Sequence, residues 1–250
     1  MMKTALKNFT RKFGIDIVRY YPTPLERAKA INFDREGSSF LKLLTLNSID
    51  LMLDVGANTG QFGKELYESG YDCKVVSFEP LSSAYLQLVT ASQSHPQWIV
   101  AERCAIGDIN GEIEINISNN SQSSSILPML QAHLDAAPQS AYVGSEKVKI
   151  YRLSDIAGQY IKKAKATFLK VDVQGFEDQV LAGAEEILPN IQGIQLEMSF
   201  VPLYKGEILF DEMLIKMKNL GFKLYNIYPG FTDYRTGRML QAIGIFFKGN

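Results

Sequence analysis

From about residue 46 onward, short apolar runs alternate with longer segments whose apolar residues recur at helical spacing. A short run that is apolar throughout suits a strand buried on both faces, and the longer segments suit helices that cover a sheet. The alternation therefore predicts an α/β fold with a doubly wound, mostly parallel sheet. The predicted strands are Leu51–Val55, Lys74–Phe78, Trp98–Cys104, Thr167–Val171 and Ile191–Glu197. The predicted helices are Lys64–Ser69, Tyr85–Gln93, Gly175–Leu188 and Phe210–Leu220.

The middle of the chain interrupts this alternation. Glu112–Ser118 and Lys147–Leu153 have period-two character, which is typical of half-buried antiparallel strands, and we expect them to add to the sheet. Between them, the loop-like stretch Asn119–Ser125 leads into a short predicted helix, Ile126–Ala137, that carries His133. The segment around 112–153 is thus predicted to be an insertion that covers a ligand.

Near the C-terminus, Lys223–Tyr228 and Gln241–Lys248 are predicted to be two strands of a closing hairpin, joined by the polar loop Pro229–Met239. The aromatic residues of this region, Phe231 among them, fit either ordinary packing or stacking against a ligand. We assign none of them to a binding role.

The first 45 residues precede the alternation. Their apolar residues are spaced to face one side of a helix, and lysine and arginine residues make the segment locally basic. Such a helix either packs its apolar stripe on the core or lies on a membrane surface, and we favour packing because such stripes are ordinary. We therefore expect an N-terminal helical segment at 1–45, packed on the core of one larger domain at 46–250.

Composition restricts the classes of function. The 250 residues are 46% hydrophobic, which is enough for a sizeable core. Lys and Arg total 26 against 27 Asp and Glu, so no overall field draws nucleic acid, and we expect no nucleic-acid partner. Neither a signal peptide nor a membrane-spanning run is evident, which predicts a cytoplasmic protein without stable membrane insertion. Cys73 and Cys104 lack C-x-x-C spacing and are expected to be reduced core residues.

The stretch Leu51–Gly63, LMLDVGANTGQFG, carries the most informative chemistry. An apolar run ends in an acidic residue and opens into a turn in which Gly56, Gly60 and Gly63 let backbone and ligand approach closely. The spacing departs from the G-x-G-x-x-G fingerprint of dinucleotide binders, and an ordinary turn is the alternative. The next strand ends at Glu79, roughly 20 residues further on, where a carboxylate can accept hydrogen bonds from both hydroxyls of a cofactor ribose. Together these elements predict a nucleotide-cofactor site.

Four motifs, DVGANTGQFG, SFEP, AIGD (Ala105–Asp108) and FLKVDVQGFEDQVLAGA (Phe168–Ala184), make the chain resemble the FkbM-type S-adenosylmethionine-dependent methyltransferases. The similarity spans about Leu51 to Glu197. It implies a Rossmann-like class I methyltransferase fold, in which a seven-stranded, mostly parallel sheet has an antiparallel last strand and helices on both faces. It also implies methyl transfer from S-adenosylmethionine, usually to an oxygen of a sugar, polyketide or related natural product.

The resemblance also implies a set of cofactor residues. The glycine-rich turn would shape the pocket for the methionine end of S-adenosylmethionine, Glu79 would hold the ribose, and Cys104–Asp108 would lie near adenine. The same chemistry implies no metal for cofactor binding. The implied cofactor-binding residues are Asp54, Gly56, Ala57, Asn58, Thr59, Gly60, Phe62, Glu79, Pro80, Cys104, Ala105 and Asp172.

Acidic residues at strand ends are the candidates for catalysis, because an alcohol acceptor benefits from a nearby general base. Asp172 ends an apolar strand at the carboxyl edge of the sheet and is the leading catalytic candidate. Its alternative roles are a helix cap and a carboxylate that orients the cofactor. Lys170 lies on the same strand face and is expected to pair with Asp172. Glu197 ends the next strand and is expected to meet Asp172, which would raise one pKa. His133 is a further candidate base. Its alternative role is that of an ordinary surface or packing residue.

One motif position departs from the family. Many relatives carry Glu where this chain has Gln174. Gln174 cannot fill a role that needs a negative charge, but its side chain can still form hydrogen bonds. Paired carboxylates also suit magnesium, but carboxylates near cofactors commonly accept hydrogen bonds, and we expect no metal site.

The resulting prediction is a methyltransferase that modifies a free hydroxyl on a small-molecule or glycan acceptor. A nicotinamide-dependent oxidoreductase is one alternative, although the glycine spacing argues against it. A non-catalytic interaction protein that binds S-adenosylmethionine is the other alternative. The sequence leaves the oligomeric state open.

Overall fold

The computed structural model describes residues 38–249. The chain divides into two units, residues 1–46 and residues 47–250. Of the first unit, helix α1 (Ser38–Leu46) is described. The predictions for the basic N-terminal helix and for its packing on the core lie outside the described residues.

The second unit alternates strands and helices, as the apolar runs predict. Its strands are β1 (Leu51–Val55), β2 (Lys74–Phe78), β3 (Trp98–Val100), β4 (Ala105–Gly107), β5 (Gly111–Ser118), β6 (Tyr142–Arg152), β7 (Thr167–Val171), β8 (Ile191–Ser199), β9 (Phe222–Pro229), β10 (Thr232–Asp233), β11 (Arg238–Met239) and β12 (Gln241–Lys248). Its helices are α2 (Gln61–Glu68), α3 (Ser82–Ser92), α4 (Gln131–Ala136), α5 (Leu153–Ile161), α6 (Glu177–Gly183) and α7 (Phe210–Asn219).

Within the described residues, a seven-stranded sheet has the strand order β3-β2-β1-β7-β8-β12-β9. Strands β1, β2, β3, β7 and β8 pair in parallel, whereas β12 runs antiparallel to both β8 and β9. The predicted closing hairpin is confirmed, and its last strand lies between β8 and β9. This sheet is the mostly parallel arrangement with an antiparallel last strand that the family resemblance implies. No helix in residues 38–249 has the length and apolar character needed to cross a bilayer.

The prediction that the period-two segments add to the main sheet was wrong. Strands β5 and β6 do pair with each other in antiparallel fashion, but with β4 they form a separate three-stranded sheet. Alternate residues of these strands, Ile115, Val148 and Ile150, bury their side chains in a small core of their own with Leu81 and Phe176. A strand pattern with one apolar face needs such a partner, and this core supplies it.

The predicted strand Trp98–Cys104 was also wrong in its extent. It ends at Val100 in the main sheet. Residues 101–104 belong to no strand, and the separate sheet begins at Ala105. The predicted helix Gly175–Leu188 is shorter than expected at both ends, because it begins at Glu177, after the loop that follows β7, and ends at Gly183. The helix that carries His133 is likewise reduced to Gln131–Ala136.

Polar residues cross the buried sheet in one row. The register pairs Ser77 on β2 with Asp54 on β1, Asp54 with Lys170 on β7, and Lys170 with Gln195 on β8. Neighbouring strands in register present these side chains on the same face of the sheet. A charged row inside an apolar sheet requires internal partners, which makes it a candidate for function.

Gly56 is required where β1 turns into the glycine-rich loop. Its φ is +75°, and a Cβ at this position would lie 1.9 Å from the carbonyl oxygen of Asp172. The backbone of this turn therefore packs directly on the backbone that follows β7, which no other residue type permits.

We expect Gly56→Ala to lower the free energy of unfolding by about 3 kcal/mol or more, because it adds a steric clash to a left-handed backbone. Gly70→Ala is the matched control, since Gly70 has a φ of +81° but no atom within 4 Å of its Cβ position. The control should lose about 1 kcal/mol, from backbone strain alone. Urea unfolding followed by circular dichroism measures both values, and equal losses would contradict the packing argument.

Candidate active site

A cavity of about 420 Å³ opens at the carboxyl ends of β1, β2, β7 and β8. Ligands bind at this edge in open α/β sheets. We call it the donor cavity, after the methyl donor that the family resemblance implies. Most of the residues predicted from sequence line it: Gly56, Ala57, Asn58, Phe62, Glu79, Pro80, Cys104, Ala105, Lys170, Asp172 and Glu197. Four others do not: Asp54, Thr59, Gly60 and His133.

The Lys170 ammonium connects the groups behind the donor cavity. Lys170 is 5% exposed, and its Nζ lies 3.1 Å from Asp54 Oδ1 and 3.5 Å from Asp172 Oδ2. Nζ also donates a hydrogen bond of 3.1 Å to the carbonyl oxygen of Gly56. The expected pairing of Lys170 with Asp172 is therefore present, and the pairing with Asp54 is closer. One cation thus holds the end of β1, the glycine turn and the carboxylate after β7.

Asp54 is the nearest counter-ion of this cation. Burial alone would lower the Lys170 pKa, but the carboxylates of Asp54 and Asp172 outweigh burial and raise it, so the ammonium stays charged. Asp54 is fully buried and accepts a hydrogen bond of 3.0 Å from Ser77 Oγ, which in turn accepts one of 2.9 Å from Trp98 Nε1. Asp54 therefore acts on the cavity through Lys170 and does not face it.

Gly60 and Gly63 have a packing role that the sequence pattern did not indicate. A Cβ on Gly60 or Gly63 would lie 2.9 Å or 2.4 Å from the Trp98 ring, and neither glycine lines the donor cavity. Their small size admits the indole of Trp98, whereas close approach to a ligand was expected. Thr59 stays within the turn, where its N–H donates to Asn58 Oδ1 at 2.9 Å.

Glu79 lies at the end of β2 and faces the donor cavity, as predicted for a ribose ligand. Its Oε2 accepts a hydrogen bond of 2.7 Å from the Asn58 N–H, and its Oε1 accepts one of 2.9 Å from the Leu81 N–H. Glu79 is 3% exposed, and burial raises its pKa to about 7 against the opposing effect of these two donors. Each oxygen keeps a further lone pair for a ligand hydroxyl.

Gln174 joins two carboxylates that were expected to meet directly. Its Nε2 donates to Asp172 Oδ1 at 2.8 Å and to Glu197 Oε2 at 2.7 Å, while its Oε1 accepts a hydrogen bond of 2.9 Å from the Tyr204 hydroxyl. An amide can donate to both carboxylates, whereas an ionised Glu at this position would repel them. Burial, followed by the negative charges of Asp172 and Glu177, raises the pKa of Glu197 well above its usual value.

A second cavity of about 270 Å³ shares Gln122, Gln174 and Glu197 with the donor cavity. We call it the side cavity. His133 lines it and is 3% exposed, with its ring centroid 5.2 Å from that of Tyr204 and 5.0 Å from that of Phe231. Burial lowers the His133 pKa to about 4, so the imidazole is neutral at neutral pH. His133 is therefore a packing residue that also borders a cavity.

Tyr204 was not predicted from the sequence. It is fully buried, and its hydroxyl also donates a hydrogen bond to the carbonyl oxygen of Ser123 at 3.2 Å. Its position depends on Glu207, whose carboxylate accepts hydrogen bonds from the backbone N–H groups of Leu203 and Tyr204. No local pattern marks these residues. The serine-rich loop was a usable signal, because Ser121 and Ser124 line the donor cavity.

Cys73 and Cys104 are both free and buried, as predicted. In the part of the chain that the structure describes, no group of three or more His, Cys, Asp or Glu residues is arranged to hold a metal ion.

A model of the methyltransferase FkbM domain matches residues 54–224. The chain belongs to this methyltransferase family, whose methyl donor is S-adenosylmethionine. Membership sets aside the nicotinamide-dependent oxidoreductase alternative. No curated protein sequence matches the chain.

Several solved structures are similar to this one. Magnesium protoporphyrin IX methyltransferase (ChlM) from Synechocystis PCC 6803 with bound SAM aligns over 98% of this chain and 92% of its own, with 10% identity and a TM-score of 0.49. TehB from Haemophilus influenzae aligns over 88% of this chain and 65% of its own, with 11% identity and a TM-score of 0.48. Sp1610 from Streptococcus pneumoniae, a putative tRNA (m1A22) methyltransferase, aligns over 85% and 73%, with 14% identity and a TM-score of 0.45. The family assignment depends on the match over residues 54–224.

We expect Lys170→Met to lower the free energy of unfolding by about 3–5 kcal/mol, because it leaves the buried Asp54 carboxylate without its cation. Lys163→Met, at an exposed position after α5, is the matched control and should leave stability nearly unchanged. Denaturant unfolding at neutral pH compares the two variants. Similar stability for both would show that the Lys170 ion pair does not hold the site together.

Proposed function

We propose that this protein is an S-adenosylmethionine-dependent O-methyltransferase that acts on a hydroxyl of a sugar, glycan precursor, polyketide or related natural product. The observation that carries the proposal is the position of Glu197. This carboxyl borders both cavities, and burial raises its pKa. A carboxylate with a raised pKa, between a donor site and a second cavity, suits removal of a proton from an alcohol.

The donor cavity fits S-adenosylmethionine by its chemistry. Glu79 would accept hydrogen bonds from the ribose hydroxyls, since its carboxylate is buried yet lines the cavity. The backbone and polar side chains from Gly56 to Asn58 would meet the methionine end, and the apolar stretch Cys104–Ile106 would pack near adenine. The bound cofactor supplies a methyl group that its sulfonium activates for transfer.

The residues around the transfer point divide into two groups. Glu197 is the proposed base, because it alone among the candidate carboxylates lines both cavities. Asp172 lines the donor cavity and is held by Lys170 and Gln174, which suits a carboxylate that orients the cofactor. This assignment replaces Asp172 with Glu197 as the leading base candidate. Fixed positions matter because methyl transfer is an in-line displacement in which geometry supplies much of the rate.

An oxygen acceptor follows from the same argument. A neutral amine already offers a lone pair and needs no base before it attacks, whereas an alcohol holds its proton tightly and benefits from one. Gln174 was the support for a non-catalytic function, but its amide retains hydrogen bonds to both carboxylates. The catalytic proposal is therefore preferred.

The pH dependence of S-adenosylhomocysteine binding tests the cofactor site. Burial raises the Glu79 pKa to about 7, so this carboxyl is mostly protonated near pH 6 and mostly ionised near pH 8. Only the ionised form accepts hydrogen bonds from both ribose hydroxyls with full strength, so affinity should rise with pH across this range. Isothermal titration calorimetry should show that Glu79→Gln weakens binding about tenfold or more near pH 8 and removes the rise.

Glu68→Gln is the control for this titration, because Glu68 is exposed and forms a long ion pair with Lys64 at 3.9 Å. It should bind S-adenosylhomocysteine with the affinity of the unmutated protein at every pH. No binding by the original chain at high micromolar concentration would reject the donor site. Binding that Glu79→Gln leaves unchanged would reject the ribose role of Glu79.

Methyl transfer itself tests Glu197. With methyl-labelled S-adenosylmethionine and a panel of neutral sugars, hydroxylated natural products and amines, we expect O-methylated products. Glu197→Gln should lower kcat about 10²- to 10⁴-fold, the usual contribution of a general base, with little change in S-adenosylhomocysteine affinity. Glu185→Gln, at an exposed position, is the control. N-methylation alone would overturn the O-methyltransferase proposal, and an unchanged rate in Glu197→Gln would overturn the role of Glu197.

A further inference from the structure

We infer that the side cavity is the acceptor site and that it holds an uncharged, hydroxyl-rich part of the acceptor, with a hydrogen bond to His133. This inference rests on the proposed function and names the class of its substrate. The cavity volume of about 270 Å³ corresponds to roughly nine water molecules at their liquid volume. That space suits a polyol or a single sugar ring.

The location of the side cavity supports an acceptor role. It shares Gln122, Gln174 and Glu197 with the donor cavity, so the two spaces meet at the proposed base. A hydroxyl at this junction lies within reach of Glu197 and faces the donor cavity. The Gln174 bridge to Asp172 holds the Glu197 carboxylate at the junction.

Polar side chains on one wall of the side cavity form hydrogen bonds with one another. Asn120 Nδ2 donates to Ser123 Oγ at 3.1 Å and to Ser140 Oγ at 3.0 Å, and Asn120 Oδ1 accepts from Ser118 Oγ at 2.8 Å. A network in which each member has a partner is held rigid by those bonds. This wall therefore gives the cavity a fixed polar shape.

Another lining residue, His133, has a polar atom that lacks a partner among the described residues. His133 is 3% exposed, and its Nδ1 forms no hydrogen bond within residues 38–249. An unpaired buried nitrogen costs free energy, and a ligand hydroxyl in the cavity would remove that cost. Packing against Tyr204 and Phe231 holds the imidazole at the cavity wall. The nearby ring of Phe231 adds an apolar surface of the kind that sugar C–H groups cover.

The charges around the side cavity exclude an anionic ligand. No lysine or arginine lines it among the described residues, and its ionisable lining groups are Glu197 and His133. Burial keeps His133 neutral, so it offers one donor and one acceptor nitrogen, which suits a hydroxyl. A phosphate would find no cation here and would face the Glu197 carboxyl. The group that enters the cavity is therefore neutral.

The test uses the full chain saturated with S-adenosylhomocysteine. Saturation-transfer NMR measures the binding of uncharged probes, namely glucose, mannose, fucose, rhamnose and myo-inositol, and of charged probes, namely glucose 6-phosphate and mannose 6-phosphate. We expect at least one neutral probe to bind and its phosphorylated counterpart to bind at least about tenfold more weakly. His133→Phe should weaken the neutral probe about tenfold or more while S-adenosylhomocysteine affinity stays within about twofold.

His95→Phe is the matched control, because the other histidine of the chain stacks on Tyr67 at 4.2 Å and lines neither cavity. It should bind every probe like the original chain. Thermal unfolding checks that His133→Phe is folded. Phe231→Leu, which removes the aromatic surface at a partly exposed position, provides a second variant with the same expected loss.

The outcomes separate this inference from the proposed function. If S-adenosylhomocysteine does not bind the original chain, the proposed function falls and the inference falls with it. If S-adenosylhomocysteine binds but no neutral probe does, the inference alone is overturned. It is also overturned if phosphorylated probes bind more tightly, or if both His133→Phe and Phe231→Leu bind the neutral probe like the original chain.

Discussion

The buried ion pair between Lys170 and Asp54 is the interaction on which the candidate active site depends. Removing two charges from water is costly, and the cost is recovered only when the remaining hydrogen-bonding capacity is also satisfied. Ser77 meets that need for Asp54, while the Gly56 carbonyl and Asp172 meet it for Lys170. The same contacts fix the turn after β1 against the loop after β7, and these two segments form the base of the donor cavity.

The acidic residues of this site are alike in chemistry but lie in different environments. Asp54 is fully buried beside a cation and supports the structure. Glu79 is held by two backbone donors at the donor cavity, and burial raises its pKa to about 7. Glu197 lies where two cavities meet, with its pKa raised by burial and by neighbouring negative charge. Placement in the fold therefore underlies the different roles that we propose for these carboxyl groups.

Much of the parallel half of the sheet could be predicted from sequence. The bounds predicted for β1, β2 and β7 are those observed, because each strand is an apolar run that stops at a polar or glycine-rich segment. The run from Trp98 onward was harder to interpret, since hydrophobicity reports burial but not the sheet in which a strand is buried. The strand ends at Val100, and the second sheet, which begins at Ala105, packs on a separate core around Ile115 and Phe176 whose members lie far apart in the chain.

Four features can be recognised without coordinates, because each is a local pattern of neighbouring residues: the α/β class, the methyltransferase family, the turn at Gly56 and the acidic strand ends. Three further features arise only when the chain folds: Gln174 bridges Asp172 and Glu197, Tyr204 supports this bridge, and His133 borders a second cavity. Cavity walls are assembled from loops distant in sequence, and burial sets the pKa values of the groups they expose. No periodicity along the chain encodes either property.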